Sequence, residues 1–151
     1  MPANGKITVN GGVGDKITFT EDGWALDAAA NTTTHYAYKN GGKTIMVSKN
    51  MTRIASGTSG DDAMTMYTVK EDVNAGTGDD TIILHAALDV NNDGRITAAD
   101  LGRIDGGTGT DTLKLGGEGK TLDLTGADIV NDLKGIEIID ITSPATPNKL
   151  V

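Results

Sequence analysis

Twelve consecutive residues, Asp89-Val90-Asn91-Asn92-Asp93-Gly94-Arg95-Ile96-Thr97-Ala98-Ala99-Asp100, set oxygen donors at a spacing that could hold a cation. They read D-x-N-x-D-G-x-I-x-x-x-D, the pattern by which a twelve-residue loop wraps calcium. Asp89, Asn91 and Asp93 supply side-chain oxygens at positions 1, 3 and 5. Gly94 follows at position 6, where the chain turns sharply and a side chain would obstruct the ligands. Arg95 offers its backbone carbonyl at position 7, because a guanidinium cannot ligate a cation. Thr97, at position 9, acts through its hydroxyl or through water, and Ile96 is the apolar plug that holds the loop against a core. Asp100 closes the loop where Glu is usual, so its shorter arm needs a tighter loop to be bidentate. A plain Asn-Asp-Gly turn is the alternative, but five matched positions favour the calcium loop.

A second motif occurs three times. Gly106-Gly107-Thr108-Gly109-Thr110-Asp111-Thr112-Leu113-Lys114 fits G-G-x-G-x-D-x-U-x, with U apolar, at every fixed position. Ala75-Gly76-Thr77-Gly78-Asp79-Asp80-Thr81-Ile82-Ile83 fits with Ala for the first Gly. Gly57-Thr58-Ser59-Gly60-Asp61-Asp62-Ala63-Met64 reads as a looser copy with one inserted residue. In such turns the glycines expose backbone carbonyls, the Asp adds a carboxylate, and the apolar residue begins a buried strand. Candidate ligands are thus Asp62, Gly76, Gly78, Asp80, Gly107, Gly109 and Asp111. The alternative is three Gly-rich turns between strands; the twelve-residue loop, lodged between the second and third copies, weighs against it.

The elements that must position these residues read mostly as β. Gly and Thr occur 21 times each, favouring turns and strands over long helices. With aromatics at 3%, the core is expected from Ile, Leu, Val and Ala. Alternating residues predict a hairpin of Lys6–Val9 with Lys16–Phe19, and Trp24 is expected to anchor the core there. Strands are also predicted at 35–38 and 44–47 around Asn40-Gly41-Gly42, and at 112–115, 121–125 and 136–141. One or two helical turns are expected at Ala127–Leu133. His35 and His85 are isolated and read as ordinary strand residues. The chain divides into an N-terminal β segment (1–50), a calcium-binding β region (51–142) and a Pro-containing extended tail (143–151). The fold expected is mostly β, a β-sandwich or short β-roll-like architecture with Gly/Asp-rich calcium turns and a short helix after the loop.

Charge points the same way. Residues 51–105 hold ten of the 21 acids against four bases, which argues for cation binding and against nucleic acid. Without cysteine there is no disulfide and no thiolate metal site. No stretch approaches the ~18 apolar residues of a membrane span. G-x-S-x-G and H-E-x-x-H are missing, and neither His has a positioned partner, so no enzyme is expected. The pairs Asp61-Asp62 and Asp79-Asp80 read better as calcium ligands than as an acid and a base. The first twenty residues lack the pattern of a secretory signal.

The loop resembles the first calcium loop of dockerins over residues 89–104, with Leu101 and Ile104 on the following helix. Dockerins carry two such loops and this chain one, so cohesin recognition is not carried over. Residues 56–142 resemble a module of the large RTX adhesins, through Gly106-Gly107-Thr108-Gly109-Thr110-Asp111-Thr112-Leu113, Thr121-Leu122-Asp123-Leu124-Thr125 and Gly135-Ile136-Glu137-Ile138-Ile139-Asp140-Ile141-Thr142. Residues 7–47 resemble another piece of that module, which in the adhesins follows the Ile136–Thr142 type of segment and here precedes it. The resemblance implies type I secretion without an N-terminal signal, an extracellular location, and calcium that rigidifies the fold after export, at about 0.1–1 mM. The reversed order implies head-to-tail assembly of copies of the chain into filaments by strand complementation, in contact with other surface or matrix components. The alternative it implies is an adhesin module that binds a glycan or peptide.

Overall fold

In a computed structural model of the chain, residues 5–12, 15–19, 24–67, 69–125 and 132–151 are described. The chain is predominantly β, its sheets are mostly parallel, and helix is almost absent among the described residues. It forms two compact units, Met1–Ile54 and Ala55–Val151.

The first unit holds β1 (Lys6–Val9), β2 (Lys16–Phe19), β3 (Ala25–Leu26), β4 (His35–Asn40) and β5 (Lys43–Ser48). β4 and β5 form the expected hairpin, closed by Asn40↔Lys43 around Gly41-Gly42. Gly41 has φ +57°, the positive value that a two-residue hairpin turn demands. The hairpin expected between β1 and β2 does not form. β1 instead runs parallel to β5, Ile7 beside Ile45 and Val9 beside Val47, and β2 lies beside β6 (Thr52–Ser56). Alternation of apolar and polar residues defines a half-buried strand, not its partner, and β5 has an open edge that β1 fills. Tyr38, at 1% exposure, is the large buried side chain beside Ala37, Met46 and Val47, whereas Trp24 is only partly buried. An aromatic residue and methionines therefore join the aliphatic core expected from composition.

The second unit begins at the end of β6 and contains β7 (Ala63–Met66), β8 (Asp72–Asn74), β9 (Thr81–Leu84), β10 (Arg95–Thr97), β11 (Ile104–Asp105), β12 (Thr112–Leu115), β13 (Thr121–Asp123), β14 (Leu133–Lys134), β15 (Ile138–Asp140) and β16 (Lys149–Leu150). Its parallel sheets run β15-β12-β9-β7, β14-β11-β8 and β10-β13-β16. The chain visits these sheets in rotation, so each coil stacks on the one before. Thr81 pairs with Ala63, 18 residues earlier, and with Thr112, 31 residues later; Thr112 then pairs with Ile138.

The two-residue period of β9 and β12 turns Ile82, Leu84, Leu113 and Leu115 inward, all at 0–1% exposure. They meet Met66, Val73, Leu88, Ile96, Ile104 and Leu122 in one continuous core. Each such burial is worth about 1.5–3 kcal/mol, and stacking like positions in register makes every coil depend on its neighbour.

Two expectations need correction or restriction. No helix follows the twelve-residue loop: residues 98–100 form a turn and the chain passes into β11. Leu101 and Ile104 have helical spacing, but Ile104 pairs with Val73 and Leu133 in the sheet, so tertiary pairing overrides local propensity. Most of the helical segment expected at Ala127–Leu133 lies outside the described residues, and Leu133 belongs to β14. The final residues lie along β13, with Asn148 buried and bonded to the Lys120 N–H at 2.9 Å and the Gly117 carbonyl at 3.1 Å.

Candidate metal centre

The three Gly-rich turns stack on one another. Each joins a strand of the β14-β11-β8 group, or the end of β6, to a strand of the β15-β12-β9-β7 sheet. Because Ala63, Thr81 and Thr112 are in register, Asp62, Asp80 and Asp111 occupy equivalent places. The turn 57–62 therefore has no inserted residue; it is the same six-residue turn with Thr58 where the others have Gly76 and Gly107.

The aspartates form a ladder. The Asp62 N–H donates to Asp80 Oδ1 at 2.7 Å, and the Asp80 N–H donates to Asp111 Oδ1 at 2.9 Å. The Asp111 N–H then donates to Glu137 Oε2 at 2.8 Å. Glu137 is a rung that motif reading missed. Its only signal is Gly135-Ile136-Glu137 before a strand, which matches Gly109-Thr110-Asp111 in spacing but not in residue type. A second, outer ladder links the Asp79 N–H to Asp61 Oδ1 and the Thr110 N–H to Asp79 Oδ1, both at 2.8 Å.

One oxygen of each buried carboxylate is left over. Asp80 Oδ2 and Asp111 Oδ2 are inaccessible and have no hydrogen-bond partner, on residues 1% and 0% exposed. A buried anion without donors is costly. Burial accordingly pushes the Asp80 carboxyl above its ordinary value, and the nearby Asp111, Asp62 and Asp61 add to the rise. The turns are also packed backbone against backbone. A Cβ on Gly106 would lie 2.0 Å from the Gly135 carbonyl oxygen and 2.7 Å from Asp111 Oδ2. The Gly135 carbonyl oxygen and the partnerless Asp111 Oδ2 thus both lie against Gly106, and both are oxygens of the kind that calcium takes as ligands. Gly76, Gly78, Gly107 and Gly109 all have positive φ and turn their backbones onto the neighbouring coil.

The twelve-residue loop is arranged differently. Asp89 is buried; its Oδ1 accepts the Asp93 N–H and its Oδ2 the Gly94 N–H, both at 3.0 Å. Lys120, in the next coil, places its ammonium 2.6 Å from Asp89 Oδ2 and holds that carboxyl below its ordinary value. Asn91 Nδ2 donates to Asp93 Oδ2 and the Arg95 N–H to Asp93 Oδ1. Both the Thr97 N–H and hydroxyl donate to Asp100 Oδ2, at 2.9 and 2.8 Å. The Arg95 side chain pairs with Asp123, whose carboxyl is lowered to about 2, chiefly by the Thr125 hydroxyl. Ile96 is fully buried in β10, the place its plug position requires.

Among the described residues, no three His, Cys, Asp or Glu side chains are arranged to hold a metal by themselves. A cation in the turns would therefore rely on backbone carbonyls as well as carboxylates. The histidines are engaged elsewhere. His35 Nε2 lies 2.9 Å from Asn10 Oδ1, and His85 caps the short turn Ala86–Leu88 rather than lying within a strand. No helix among the described residues is long and apolar enough to cross a membrane. No protein-family model, curated protein or solved structure matches the chain.

Proposed function

We propose that Ala55–Val151 is a short calcium β-roll, and that the chain is a secreted structural protein of the cell surface or biofilm matrix that assembles head to tail. The observation that carries the calcium reading is the pair of buried, partnerless oxygens, Asp80 Oδ2 and Asp111 Oδ2, inside stacked glycine turns. Divalent cations neutralise such oxygens and, by binding only the folded form, stabilise it.

Assembly is supported by the final coil. β14, β15 and β16 each end a parallel sheet, so their outer edges offer unpaired backbone donors and acceptors. Ile138 and Ile139 on β15 are 45% and 37% exposed. Residues 112–115 and 138–140 pair with the preceding coils, so a second copy would add at the outer edge of β15, with β7 forming the opposite edge of the same sheet. A strand from a second copy added there makes a heterologous contact, which propagates when the rotation does not close.

Light scattering and electron microscopy of the intact chain, in chelator and in millimolar calcium, test the reading. Growth into elongated particles with calcium is expected. A monomer at high protein concentration in calcium would replace assembly with the adhesin-module reading.

A further inference from the structure

The three aligned turns differ at their second residue, and that difference decides what satisfies each aspartate. In the first turn, Asp62 Oδ2 accepts the Thr58 N–H at 2.6 Å and the Thr58 hydroxyl at 2.9 Å. In the second and third, the residue is Gly76 or Gly107, with no hydroxyl to give, and Asp80 Oδ2 and Asp111 Oδ2 have no donor at all. The backbone corner is alike in the first and third turns, although Asp62 is half-buried where Asp111 is buried, and in the second turn Ala75 stands where they have Gly57 and Gly106. A Cβ on Gly57 would lie 2.0 Å from the Ala75 carbonyl oxygen and 2.8 Å from Asp62 Oδ2, nearly the figures found at Gly106 for the Gly135 carbonyl and Asp111 Oδ2. The same carbonyl-plus-carboxylate corner is therefore closed by threonine in one turn and left without donors in another.

Resting on the calcium reading, we infer that Thr58 takes the place of a cation, so that the turn 57–62 is cation-independent while the Asp80 and Asp111 turns take one divalent cation each. A buried carboxylate oxygen needs hydrogen-bond donors or a positive ion. Two donors from one residue meet that need without calcium, and the hydroxyl is the one that Gly76 and Gly107 cannot supply. The consequence is an order of folding. The first turn can form in calcium-free solution and offers a finished surface on which the cation-dependent coils stack, the role of a capping repeat in a solenoid.

Calcium bound per chain, counted by equilibrium dialysis on the intact protein, tests this. Asp111→Asn is expected to lower the count by one, and Asp62→Asn, of the same size and chemistry, to leave it unchanged. Thr58→Gly is expected to raise it by one, because the Asp62 turn then matches the others. The twelve-residue loop contributes equally to all of these proteins and cancels. If Asp62→Asn loses one ion as Asp111→Asn does, Thr58 does not replace a cation and the inference is overturned. That comparison stands even if Thr58→Gly fails to fold. A wild-type chain whose count is unmoved by both Asp111→Asn and Asp80→Asn would instead overturn the calcium reading of the turns.

Discussion

A methyl group on Gly107 would lie 1.9 Å from the Gly76 carbonyl oxygen, on a backbone whose φ is +98°. Both the close approach and the dihedral exclude an L side chain. Gly107→Ala is therefore expected to lose at least about 1–3 kcal/mol of unfolding free energy through strain alone. Gly60→Ala, whose Cβ would meet nothing within 4 Å, should stay within about 0.5 kcal/mol of the parent. Urea unfolding of the two variants checks the contrast, and equal losses would mean that the turns are not stacked as described. Single residues also rank the candidate cation sites. Asp93→Ala should cost more calcium affinity than Asp62→Ala, since the loop 89–100 gathers its donors locally and Asp62 is already served by Thr58. Titration calorimetry on both variants decides it, and equal losses would contradict the ranking.

At the scale of elements, charged pairs link one coil to the next with unequal effect. Lys120 reaches a carboxylate with no side-chain exposure, whereas Lys134, itself 74% exposed, sits 3.3 Å from Asp105. Lys120→Met in chelator should lower the melting midpoint clearly, because Asp89 keeps a charge it can no longer pair, while Lys134→Met should barely move it. Asp140, tied to Lys114 across β12 and β15, has its carboxyl lowered to about 2, first by Lys114 and then by Thr142. A depressed folded value contributes stability that is present above the ordinary value of 3.8 and lost as pH falls toward about 2. Melting between pH 5 and pH 2 should thus decline less steeply in Asp140→Asn than in the parent. Which of these elements was legible depended on how local the information is. Thr112-Leu113-Lys114-Leu115 announces β12 because alternation lies within four residues. The partner of Lys6–Val9 was not legible, since nothing in that strand distinguishes β5 from β2. Leu101 and Ile104 are expected on a helix only through the likeness to a dockerin loop, and it is Val73 and Leu133, far away in sequence, that make Ile104 a strand residue. In the candidate site the Asp positions were visible from glycine spacing. Thr58 disguised its turn as irregular, and Glu137 has Gly135 before it but a Glu where the motif has Asp.

For the molecule as a whole, a chain with 21 acids and 13 bases stacks four carboxylates, Asp62, Asp80, Asp111 and Glu137, along one column of turns. Such a column repels itself until positive charge enters it, and on the calcium reading proposed above the second unit completes its fold with the ion. At a calcium concentration 100 times the dissociation constant, each site adds about 2.7 kcal/mol. For a unit of this length, 1 kcal/mol shifts the midpoint by about 4–8 °C. Thermal unfolding of the intact chain in calcium at about 100 times the dissociation constant and in excess chelator, with magnesium at the same concentration as control, tests this directly. A rise on the order of 10–20 °C per occupied site with calcium, and much less with magnesium, is predicted. An identical midpoint in calcium and chelator would overturn the calcium reading.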